Sequence, residues 1–592
     1  MTNSDVTPVL DLTQVPFSRA GSYLAFSLRD PAAAPTWEQR PGDALYLRTV
    51  RGDRESDRVF RLDTLAPNGG PTPFRVEAAP HRLRLHAGAG VVDICLPRPG
   101  VVRLRGERGV GLRLTLERIG GYGNAQAYDR AGRWLVNAWP ARMTYLLSPL
   151  AGRLAVDAPH GTVRAERVAA DFLPDGAGAF ESLIEEFLPE RVPVPPTRTF
   201  DEDAAGAAEE FRAFRAGQPP VLDALRTAAD LMAYVQWSAL VAPEGHLGRS
   251  AMLMSKNHMT NVWSWDHCFN ALALMPHAPA MAWDQFCLPF DHQDAAGALP
   301  DSVNDKVVVR SFTKPPIHGW TLRGLLERDR TGFLTNDRLG EIYQPLCRWT
   351  RWWLTFRDGD GDGVPQYNHG NDSGWDNSTA FDVGFPLEAP DLSAYLALQM
   401  DALAALAHRL GRTDEAGRWT SDADALLERL MAHSWRGDRF VAPRSETHAS
   451  VPPEAGDSLL PFLPLVLGQR LPDAARGPLL AGLLAPGRFL TDYGLATEAL
   501  TSPRHEADGY WRGPVWAPPV LLIADGLRRG GEAGAARDIA AGFCRAVARS
   551  GAAENFNARA GEGLRDRAYT WTASVFLILA QDYLNKSFNQ DL

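Results

Sequence analysis

The stretch DLSAYLALQMDALAALAHRLG, residues 391–411, is followed almost at once by DEAGRWTSDADALLERLMAHSW, residues 414–435. In both stretches apolar residues recur at intervals of three and four, which predicts two helices that each have an apolar face. The connection between them is too short for anything but a tight turn, so we expect the two helices to pack side by side as a hairpin.

The same helical spacing recurs through the rest of the chain after residue 200. It is found in AAGAAEEFRAFRAG, VLDALRTAADLMAYVQWSALV, AARDIAAGFCRAVARSG and TWTASVFLILAQDYL. Helices of about 12–20 residues joined by alternating long and short loops favour helix pairs that close into a ring. No short repeat indicates a solenoid. We therefore predict an all-α ring over residues 201–592.

The first part of the chain has a different pattern. Residues 1–190 contain short, often alternating segments such as SYLAFSLRD, ALYLRTV and HRLRLHA, separated by turn signals such as PNGG and LPRPG. This pattern is typical of an antiparallel β-sandwich. The proline-rich run PERVPVPPTRT follows it, and we expect a linker over residues 191–200.

Composition narrows the classes of partner. The chain has 592 residues, a net charge of -10 and a pI of about 5.8. An acidic chain lacks the basic footprint that nucleic-acid binding needs, whereas a small neutral carbohydrate is compatible with it. The five cysteines are scattered and form no CxxC spacing, which predicts reduced thiols. No signal peptide and no long apolar span is visible, so we predict a cytoplasmic protein without a membrane partner.

Tryptophan is concentrated where the predicted ring has its long loops. Fourteen of the 17 tryptophans follow residue 200, mostly in or near loops rich in Gly and Asp. The C–H face of a sugar ring stacks on an indole, and carboxylates accept hydrogen bonds from its hydroxyls. Each tryptophan taken alone is also compatible with a place in the core.

Acidic and flexible residues crowd into RDGDGDGVPQYNHGNDSGWDNSTAFD, residues 357–382. Asp358, Asp360 and Asp362 match the first three ligand positions of a calcium loop, and Gly363 falls at its sharp turn. The twelfth position is His369 instead of the usual glutamate. The pattern leaves two interpretations open, a plain Asp/Gly turn or a calcium site completed by a distant carboxylate.

Three further carboxyls lie beside aromatic residues. Asp372 and Asp376 flank Trp375, and a carboxyl next to an indole can have a raised pKa that suits a general acid; helix capping is the structural alternative. Asp266 lies in NVWSWDHCFN, and a carboxylate among aromatic rings needs a sugar hydroxyl, an arginine or another partner.

Two late motifs add to these. DGYWRGPVW, residues 508–516, has the composition of a substrate wall that opens a helix. ENFNARAGEG, residues 554–563, begins with Glu554, which is suited to act as a base or as a capping residue. The chain contains no HExxH, no complete phosphate loop and no GxSxG, so a zincin, a nucleotide enzyme and a serine hydrolase are disfavoured.

Taken in order, these motifs resemble glycoside hydrolase family 63 and its trehalase relatives. The resemblance runs over roughly residues 225–585 and rests on WSWDHCFNALAL, ALPDSVND with KPPIHGW, DGDGDGVPQY, NDSGWDNSTAFD, APDLSAYL, GYWRGPVW and ENFNARAGEG. The family includes processing and bacterial α-glucosidases and hydrolases of mannosylglycerate and glucosylglycerate.

The resemblance implies an (α/α)6 barrel and an inverting glycosidase. Asp376 would be the general acid and Glu554 the general base. Inversion requires two carboxyls about 6.5–9.5 Å apart, with a water on the far side of the sugar. We expect an exo-acting α-glycosidase that releases terminal α-linked glucose, or mannose, from small glycosides or oligosaccharides without a cofactor for the chemistry.

The resemblance also implies binding residues. The −1 sugar pocket would be shaped by Trp265, Asp266, Trp375, Trp511 and Gly513, with Lys314, Asp372 and Arg512 as further candidates. Some relatives hold calcium at a similar loop, so a structural Ca2+ is expected at Asp358, Asp360, Asp362 and the Val364 carbonyl, with Glu388 as a further ligand. The chain departs from its relatives at Ala380-Phe381, where a basic or aromatic residue is expected, and this leaves the sugar open.

Two other functional classes remain open on sequence grounds. A sugar epimerase or isomerase on a similar ring would work through histidine, and His258, His267, His292 and His318 lie near the site loops. A carbohydrate-binding protein without catalysis would bind the sugar and show no turnover.

Overall fold

The computed structural model describes residues 8–32, 41–52, 58–189, 194–452 and 454–585. The chain divides into two compact units. The first comprises Met1–Ala216, Ala233–Glu244 and Ser255–Thr260, and the second comprises Gly217–Met232, Gly245–Met254 and Asn261–Leu592. The linker and the domain boundaries expected around residues 191–200 stay a prediction, and residues 191–193 lie outside the described part of the chain.

The first unit is built from β-strands. They are β1 Leu24–Arg29, β2 Ala44–Thr49, β3 Arg58–Leu65, β4 Pro71–Thr72, β5 Arg75–Ala79, β6 Arg82–Ala87, β7 Gly90–Arg98, β8 Val101–Glu107, β9 Gly111–Leu116, β10 Asn124–Ala127, β11 Trp134–Ala138, β12 Met143–Ala151, β13 Arg153–Asp157, β14 Ala169–Leu173 and β15 Phe180–Phe187. One sheet has the order β1-β2-β3-β9-β14-β13, with β4 paired to β3. The other has the order β10-β11-β12-β15-β8-β7-β6-β5.

The expected antiparallel sandwich is confirmed. Neighbouring strands run antiparallel in both sheets. Aromatic rings join one sheet to the other: Phe60 of β3 meets Tyr145 of β12 with ring centroids 5.4 Å apart. Successive side chains of a strand point to opposite faces of the sheet. In β6, Leu83, Leu85 and Ala87 are buried while the residues between them stay partly exposed, so these three mark the inward face of the strand.

The second unit is helical. The α-helices of the described residues, of which α1 belongs mainly to the first unit, are α1 Phe200–Gly217, α2 Arg226–Ala239, α3 Asp266–Leu274, α4 Pro279–Cys287, α5 His318–Arg328, α6 Asn336–Phe356, α7 Gly370–Ser373, α8 Pro390–Arg409, α9 Thr413–Ser434, α10 Asp473–Leu483, α11 Ala517–Arg529, α12 Ala533–Ser550 and α13 Thr570–Asp582. A 3₁₀ segment covers Leu460–Arg470. Short strands are β16 Leu240–Val241, β17 Ala251–Met252, β18 Val262–Trp263, β19 Ser302–Val303, β20 Val308–Val309, β21 Leu490–Thr491, β22 Gly494–Leu495, β23 Asn555–Phe556 and β24 Gly563–Leu564.

Six helical segments form a closed inner ring. α3 contacts α5, α5 contacts α8, α8 contacts the 3₁₀ segment, that segment contacts α11, α11 contacts α13, and α13 returns to α3. A second set, α4, α6, α9, α10 and α12, packs against this ring. The hairpin predicted from residues 391–435 is present as α8 and α9. The expected (α/α)6 architecture is confirmed.

Burial separates the inner helices from the outer ones. Every residue of α3 and every residue of α13 from Thr570 to Gln581 is buried, because an inner helix is covered on all sides. The outer helices α9 and α12 bury one stripe and leave the other residues exposed, as expected of amphipathic helices at a surface. Proline occupies the first turn of α4, α8 and α11, where its missing N–H has no helical partner to lose.

Two further sequence expectations bear on the fold. All five cysteines are buried and none forms a disulfide, in agreement with reduced thiols. No helix in the described part of the chain has the length and apolarity needed to cross a membrane.

Asp525 of α11 is the most highly connected carboxylate of the inner ring. It accepts hydrogen bonds from Trp320 Nε1 at 2.8 Å and Arg529 Nε at 2.8 Å, and from Arg528 at 3.0 Å. Burial opposes ionisation, yet the charges of Arg529, Arg323 and Arg528 hold the pKa of this carboxyl well below its usual range. Its stabilising effect is therefore present at neutral pH and is lost as pH falls toward that lowered pKa.

We expect Asp525→Asn to lower the free energy of unfolding by about 3–5 kcal/mol at neutral pH, because it leaves three partly buried arginines without their buried counter-charge. The measurement is denaturant unfolding of the full chain. Asp538→Asn on the exposed face of α12 is the matched control and should change stability by less than about 0.5 kcal/mol. Equal stability of the two variants would contradict the assignment.

Candidate active site

Asp376 lies on a loop that is shaped by close backbone contacts; we call residues 370–382 the Asp376 loop. It begins with the single turn α7, where Ser373 Oγ donates to the Gly370 carbonyl at 2.6 Å and accepts from Trp375 N at 3.0 Å. A Cβ on Gly370 would stand 2.1 Å from the Asp376 carbonyl oxygen. Gly374 has φ +71°, and a Cβ there would stand 2.4 Å from the ring of Trp265. Both positions therefore require glycine.

Two charged residues hold the start of this loop. Lys314 Nζ donates to the carbonyl and side-chain oxygens of Asn371, both at 2.7 Å, and pairs with Asp301 at 2.8 Å. Asp372 accepts from Thr313 N at 3.1 Å and from Arg357 at 3.0 Å. The sequence resemblance implies that Lys314 and Asp372 bind substrate. In the structure their polar atoms bond to protein groups and fix the loop.

The Asp376 carboxyl has the electrostatics of a proton donor. The residue keeps part of its surface open to solvent. Burial raises the pKa of Asp376, and the nearby Asp301 acts in the same direction, while Lys314 opposes the shift. A carboxyl with a raised pKa retains its proton at higher pH, which is the state a general acid needs.

The far side of the Asp376 loop is tied to the DGYWRGPVW motif. Asn377 accepts from Trp511 N at 2.9 Å and donates to the Gly509 carbonyl at 3.0 Å. Arg512 donates to the Asn377 carbonyl at 2.7 Å and pairs with Asp382 at 2.6 Å. Gly513 has φ +151°, and a Cβ there would stand 2.2 Å from the Glu506 carbonyl oxygen. Arg512 is thus bonded to the Asp376 loop and Gly513 lies where a side chain would meet the backbone, while their expected part in the sugar pocket stays a prediction.

Glu554 is held between strand β23 and helix α13. Its N–H donates to the Asp566 carbonyl at 2.7 Å, and its carbonyl accepts from Trp571 Nε1 at 3.4 Å. The residue is 2% exposed. Burial raises the pKa of Glu554 to about 8, and the charge of Asp566 acts in the same direction, while Arg565 and the Tyr510 hydroxyl oppose the shift.

Tyr510 connects the two carboxyls electrostatically. Its hydroxyl hydrogen-bonds the Glu554 side chain. Burial, followed by the charges of Glu554 and Asp376, raises the pKa of Tyr510 well above its ordinary value. Tyr510 adopts φ +65°, a conformation that costs energy for a residue with a Cβ and is often found where function requires it. Arg565, at φ +60°, lies over the Tyr510 ring at 4.9 Å.

Asp266 adds a third buried carboxyl. It opens helix α3 and is 4% exposed. Burial raises the pKa of Asp266 to about 8; Lys314 opposes the shift, and Asp301 and Asp376 add to it. Its Oδ2 atom has no hydrogen-bond partner within the described residues. A buried carboxyl oxygen in that state is suited to accept a hydrogen bond from a ligand hydroxyl.

Aromatic rings form the wall around these carboxyls. Trp511 and Trp516 stack with centroids 4.1 Å apart, and Trp375 leans on Trp511 at 4.8 Å. Trp571 meets Trp265 edge-on at 6.0 Å and Trp516 at 5.5 Å. The expected Trp265, Trp375 and Trp511 are each at most 2% exposed, so the wall is fixed by its own packing.

The sequence pattern places Tyr510 and Trp516 in a predicted substrate wall without an individual role, and it gives no role to Tyr569 and Trp571. Tyr510 and Trp516 lie inside the DGYWRGPVW motif, so that motif is the available signal. Tyr569 and Trp571 open α13 directly after the Glu554 loop, and their only signal is that position.

Two of the expected calcium ligands, Asp358 and Asp362, accept hydrogen bonds within their own loop, whereas Asp360 accepts from Glu446 N at 3.0 Å. The carboxylate of Asp358 accepts from Gly361 N at 3.0 Å and from Gly363 N at 3.1 Å. Asp362 accepts from Val364 N at 2.7 Å. Asp358, Asp360 and Asp362 nevertheless offer oxygens close enough together to hold a cation. Calcium at this loop stays a prediction.

Two of the four histidines suggested for an isomerase, His267 and His318, have buried structural environments. His318 Nε2 lies 3.0 Å from the Ser264 carbonyl, and His318 Nδ1 accepts from Trp349 Nε1 at 3.3 Å. Burial lowers the pKa of both His267 and His318 to about 3, so both rings are neutral in the folded protein. Neither has the environment of a proton-transferring base near neutral pH.

Sequence comparison identifies the family. The model of the mannosylglycerate hydrolase MGH1-like glycoside hydrolase domain matches residues 259–572, more than half of the chain. The chain belongs to this glycoside hydrolase family. The matched segment contains Asp266, Asp376 and Glu554.

Known relatives of this glycoside hydrolase agree with its fold. Mannosylglycerate hydrolase MGH1 of Selaginella moellendorffii is 24% identical over 391 residues, which cover 53% of this chain and 79% of the relative. The structure of the family 63 mannosylglycerate hydrolase from Thermus thermophilus in complex with Tris and D-glycerate matches at 22% identity and TM-score 0.51, covering 60% of this chain and 99% of that one. A bacterial glucoamylase complexed with acarbose matches at 10% identity and TM-score 0.59, covering 96% and 95%.

We expect Gly374→Ala to displace the Trp265 ring and to destabilise the protein by about 1–3 kcal/mol beyond the cost of the backbone conformation. Near-UV circular dichroism and denaturant unfolding are the measurements. Gly384→Ala is the matched control, since Gly384 has φ +90° and a Cβ added there would meet no atom of the described chain within 4 Å. If both variants lose the same stability, the Trp265 contact does not determine the need for glycine at 374.

Proposed function

We propose that this protein is an exo-acting, inverting α-glycosidase. Asp376 acts as the general acid and Glu554 as the general base. The observation that carries the proposal is Tyr510, which hydrogen-bonds Glu554 while its pKa also responds to the charge of Asp376. Inversion needs one carboxyl as the acid and a second as the base, and here both carboxyls would lie in one aromatic pocket of the helical ring.

The proposed reaction is a single displacement. Asp376 gives its proton to the glycosidic oxygen as the bond to the anomeric carbon breaks. The Glu554 carboxylate takes a proton from a water, whose oxygen attacks the anomeric carbon from the opposite face. An α-glycoside thus yields the β-anomer and a free alcohol. Asp376 ends ionised and Glu554 protonated, and proton exchange with solvent restores both groups.

The binding residues have supporting roles in this proposal. The Asp266 carboxyl would accept a hydrogen bond from a sugar hydroxyl, since its Oδ2 lacks a partner within the described chain. The wall of Trp265, Trp375 and Trp511 would surround the sugar ring. Because Lys314 and Asp372 hold the loop before substrate arrives, the acid needs little reorganisation in the transition state.

The substrates to test first come from the relatives. The Selaginella moellendorffii relative is named a mannosylglycerate hydrolase, and the Thermus thermophilus structure holds D-glycerate. We therefore propose a small α-linked mannoside or glucoside as substrate, with the glycerate conjugate of mannose as the first candidate. The chemistry needs no cofactor.

We expect Asp376→Asn and Glu554→Gln each to lower kcat by at least about 100-fold, because each removes one proton-transfer step. The measurement is proton NMR of α-mannosylglycerate, α-glucosylglycerate and simple α-glucosides, which reports both rate and anomer. Wild-type protein should release the β-anomer first. Asp401→Asn, an exposed ion-pair change on α8, is the control and should keep full activity. Early release of the α-anomer would rule out the inverting assignment.

The pH profile tests the base separately. While Asp376 keeps its proton, kcat/KM should rise with pH as Glu554, whose folded pKa is about 8, loses its proton. Arg565→Met removes a positive charge that lowers this pKa, so its rising limb should move to higher pH. Asp508→Asn is the control, since it removes the ion-pair partner of Arg565 but keeps the Arg565 charge. The contrary result is a rising limb at about pH 4.3, the ordinary pKa of a glutamate, that neither variant moves. It would show that Glu554 is not the group that titrates.

A further inference from the structure

Two histidines and two carboxylates meet at a second site in the helical unit. Asp362, Glu388, His433 and His448 each offer one ligand atom, and these four atoms lie within 4.8 Å of one another. We call them the His–carboxylate cluster. Asp362 follows α6, Glu388 precedes α8, His433 lies in the last turn of α9, and His448 lies on the loop after it.

Glu388 is the buried centre of this cluster. Its side chain is fully buried, while Asp362 and His448 are exposed. Its Oε2 atom lies 2.7 Å from His433 Nε2 and 3.8 Å from His448 Nδ1. Its Oε1 atom has no hydrogen-bond partner within the described residues. A buried carboxylate oxygen left without a partner is costly, so the site calls for a further positive or hydrogen-bonding group.

The remaining distances favour an ion held between the four side chains over a simple hydrogen-bonded pair of His433 and Glu388. His433 Nδ1 lies 3.5 Å from Asp362 Oδ2, and the two imidazole rings have centroids 5.0 Å apart. A hydrogen bond between His433 and Glu388 accounts for Oε2 alone. It does not account for Oε1 or for the approach of the second imidazole.

We propose that the His–carboxylate cluster binds a divalent transition-metal ion, with Zn2+ as the best match. Two imidazole nitrogens and two carboxylate oxygens are a four-ligand set that zinc accepts in tetrahedral geometry. Calcium instead takes six to eight oxygens. The proposed ion differs in chemistry from the calcium expected from the sequence, but it shares Asp362 and Glu388 with that expected ligand set, so the two ions would compete for these carboxylates. Solvent reaches the site through Asp362 and His448, so an ion can enter the folded protein.

The position of the cluster suggests what the ion would do. Asp362 and Glu388 stand on either side of the Asp376 loop in the sequence. Between them, Tyr367 and Leu387 exchange backbone hydrogen bonds of 2.8 and 2.9 Å. A metal bound outside this pair would tie both ends of the segment to the end of α9. We infer a structural ion that stiffens the support of the Asp376 loop.

The test is metal binding to the full chain after dialysis against a chelator. Isothermal titration with Zn2+ should give one site per chain, and Zn2+ should raise the melting temperature. Co2+ in the same site should give the visible absorption bands of a low-coordinate ion. His433→Gln and His448→Gln should each weaken Zn2+ binding by at least about 10-fold.

Two controls separate the possible results. His408→Gln, an exposed histidine in the last turn of α8, should leave Zn2+ binding unchanged. Asp358→Asn with Asp360→Asn removes two expected calcium ligands and should also leave it unchanged. Zn2+ binding that survives loss of both His433 and His448, or the absence of saturable Zn2+ binding, would overturn the proposal. So would a site that takes Ca2+ in preference to Zn2+. None of these readouts depends on glycosidase activity.

Discussion

The closure of the inner ring is the constraint on which the candidate site depends. Its closing contact is polar: Asn270 of α3 donates to Thr570 Oγ1 at 3.2 Å and accepts from Ser574 Oγ at 2.7 Å, both on α13. All three side chains are buried, and buried polar groups that pair with one another fix the register of two helices more tightly than apolar contact does. Asp266 opens α3, and Glu554, which directly precedes β23, accepts a hydrogen bond at its carbonyl from Trp571 of α13. The helix pairing therefore brings both carboxyls close to Tyr569: burial raises the pKa of this tyrosine, and the charges of Glu554 and Asp266 add to the shift.

That region concentrates carboxyl groups without pairing them directly with cations. Asp266, Asp376 and Glu554 all have raised pKa values, with burial as the main cause. Lys314, the cation that acts on both Asp266 and Asp376, is bonded to Asp301 and Asn371, so it moderates these pKa values without forming a direct pair with the catalytic candidates. Such an arrangement costs stability. Asp525 in the same ring is the opposite case, because the charge of this buried carboxylate is balanced by arginines.

The sequence predicts the secondary structure of each segment better than it predicts what a given side chain contacts. Helical spacing predicts the α8–α9 hairpin, because period and loop length are local properties. Charge is also visible in a sequence, but its partner is not. The resemblance implies that Lys314, Asp372 and Arg512 bind substrate, which stays a prediction, whereas their contacts with Asn371, Arg357 and Asp382 are visible only in the structure. The link from Tyr510 to Glu554 could not be predicted, since it depends on a left-handed backbone conformation that no residue type signals at a tyrosine.

The His–carboxylate cluster illustrates the same limit at longer range. Its members come from four segments, so no spacing motif marks them, and the sequence singles out only Asp362 and Glu388, as expected calcium ligands. The bridge between Tyr367 and Leu387 already brings together the two ends of the segment that carries Asp376. An ion at Asp362 and Glu388 would therefore reduce the entropy of the unfolded chain by little more through loop closure. What it would add is a direct connection from Asp362 to His433 and His448, which no backbone hydrogen bond among the described residues supplies. The effect of such an ion is therefore expected in the rigidity of the loop support more than in its folding.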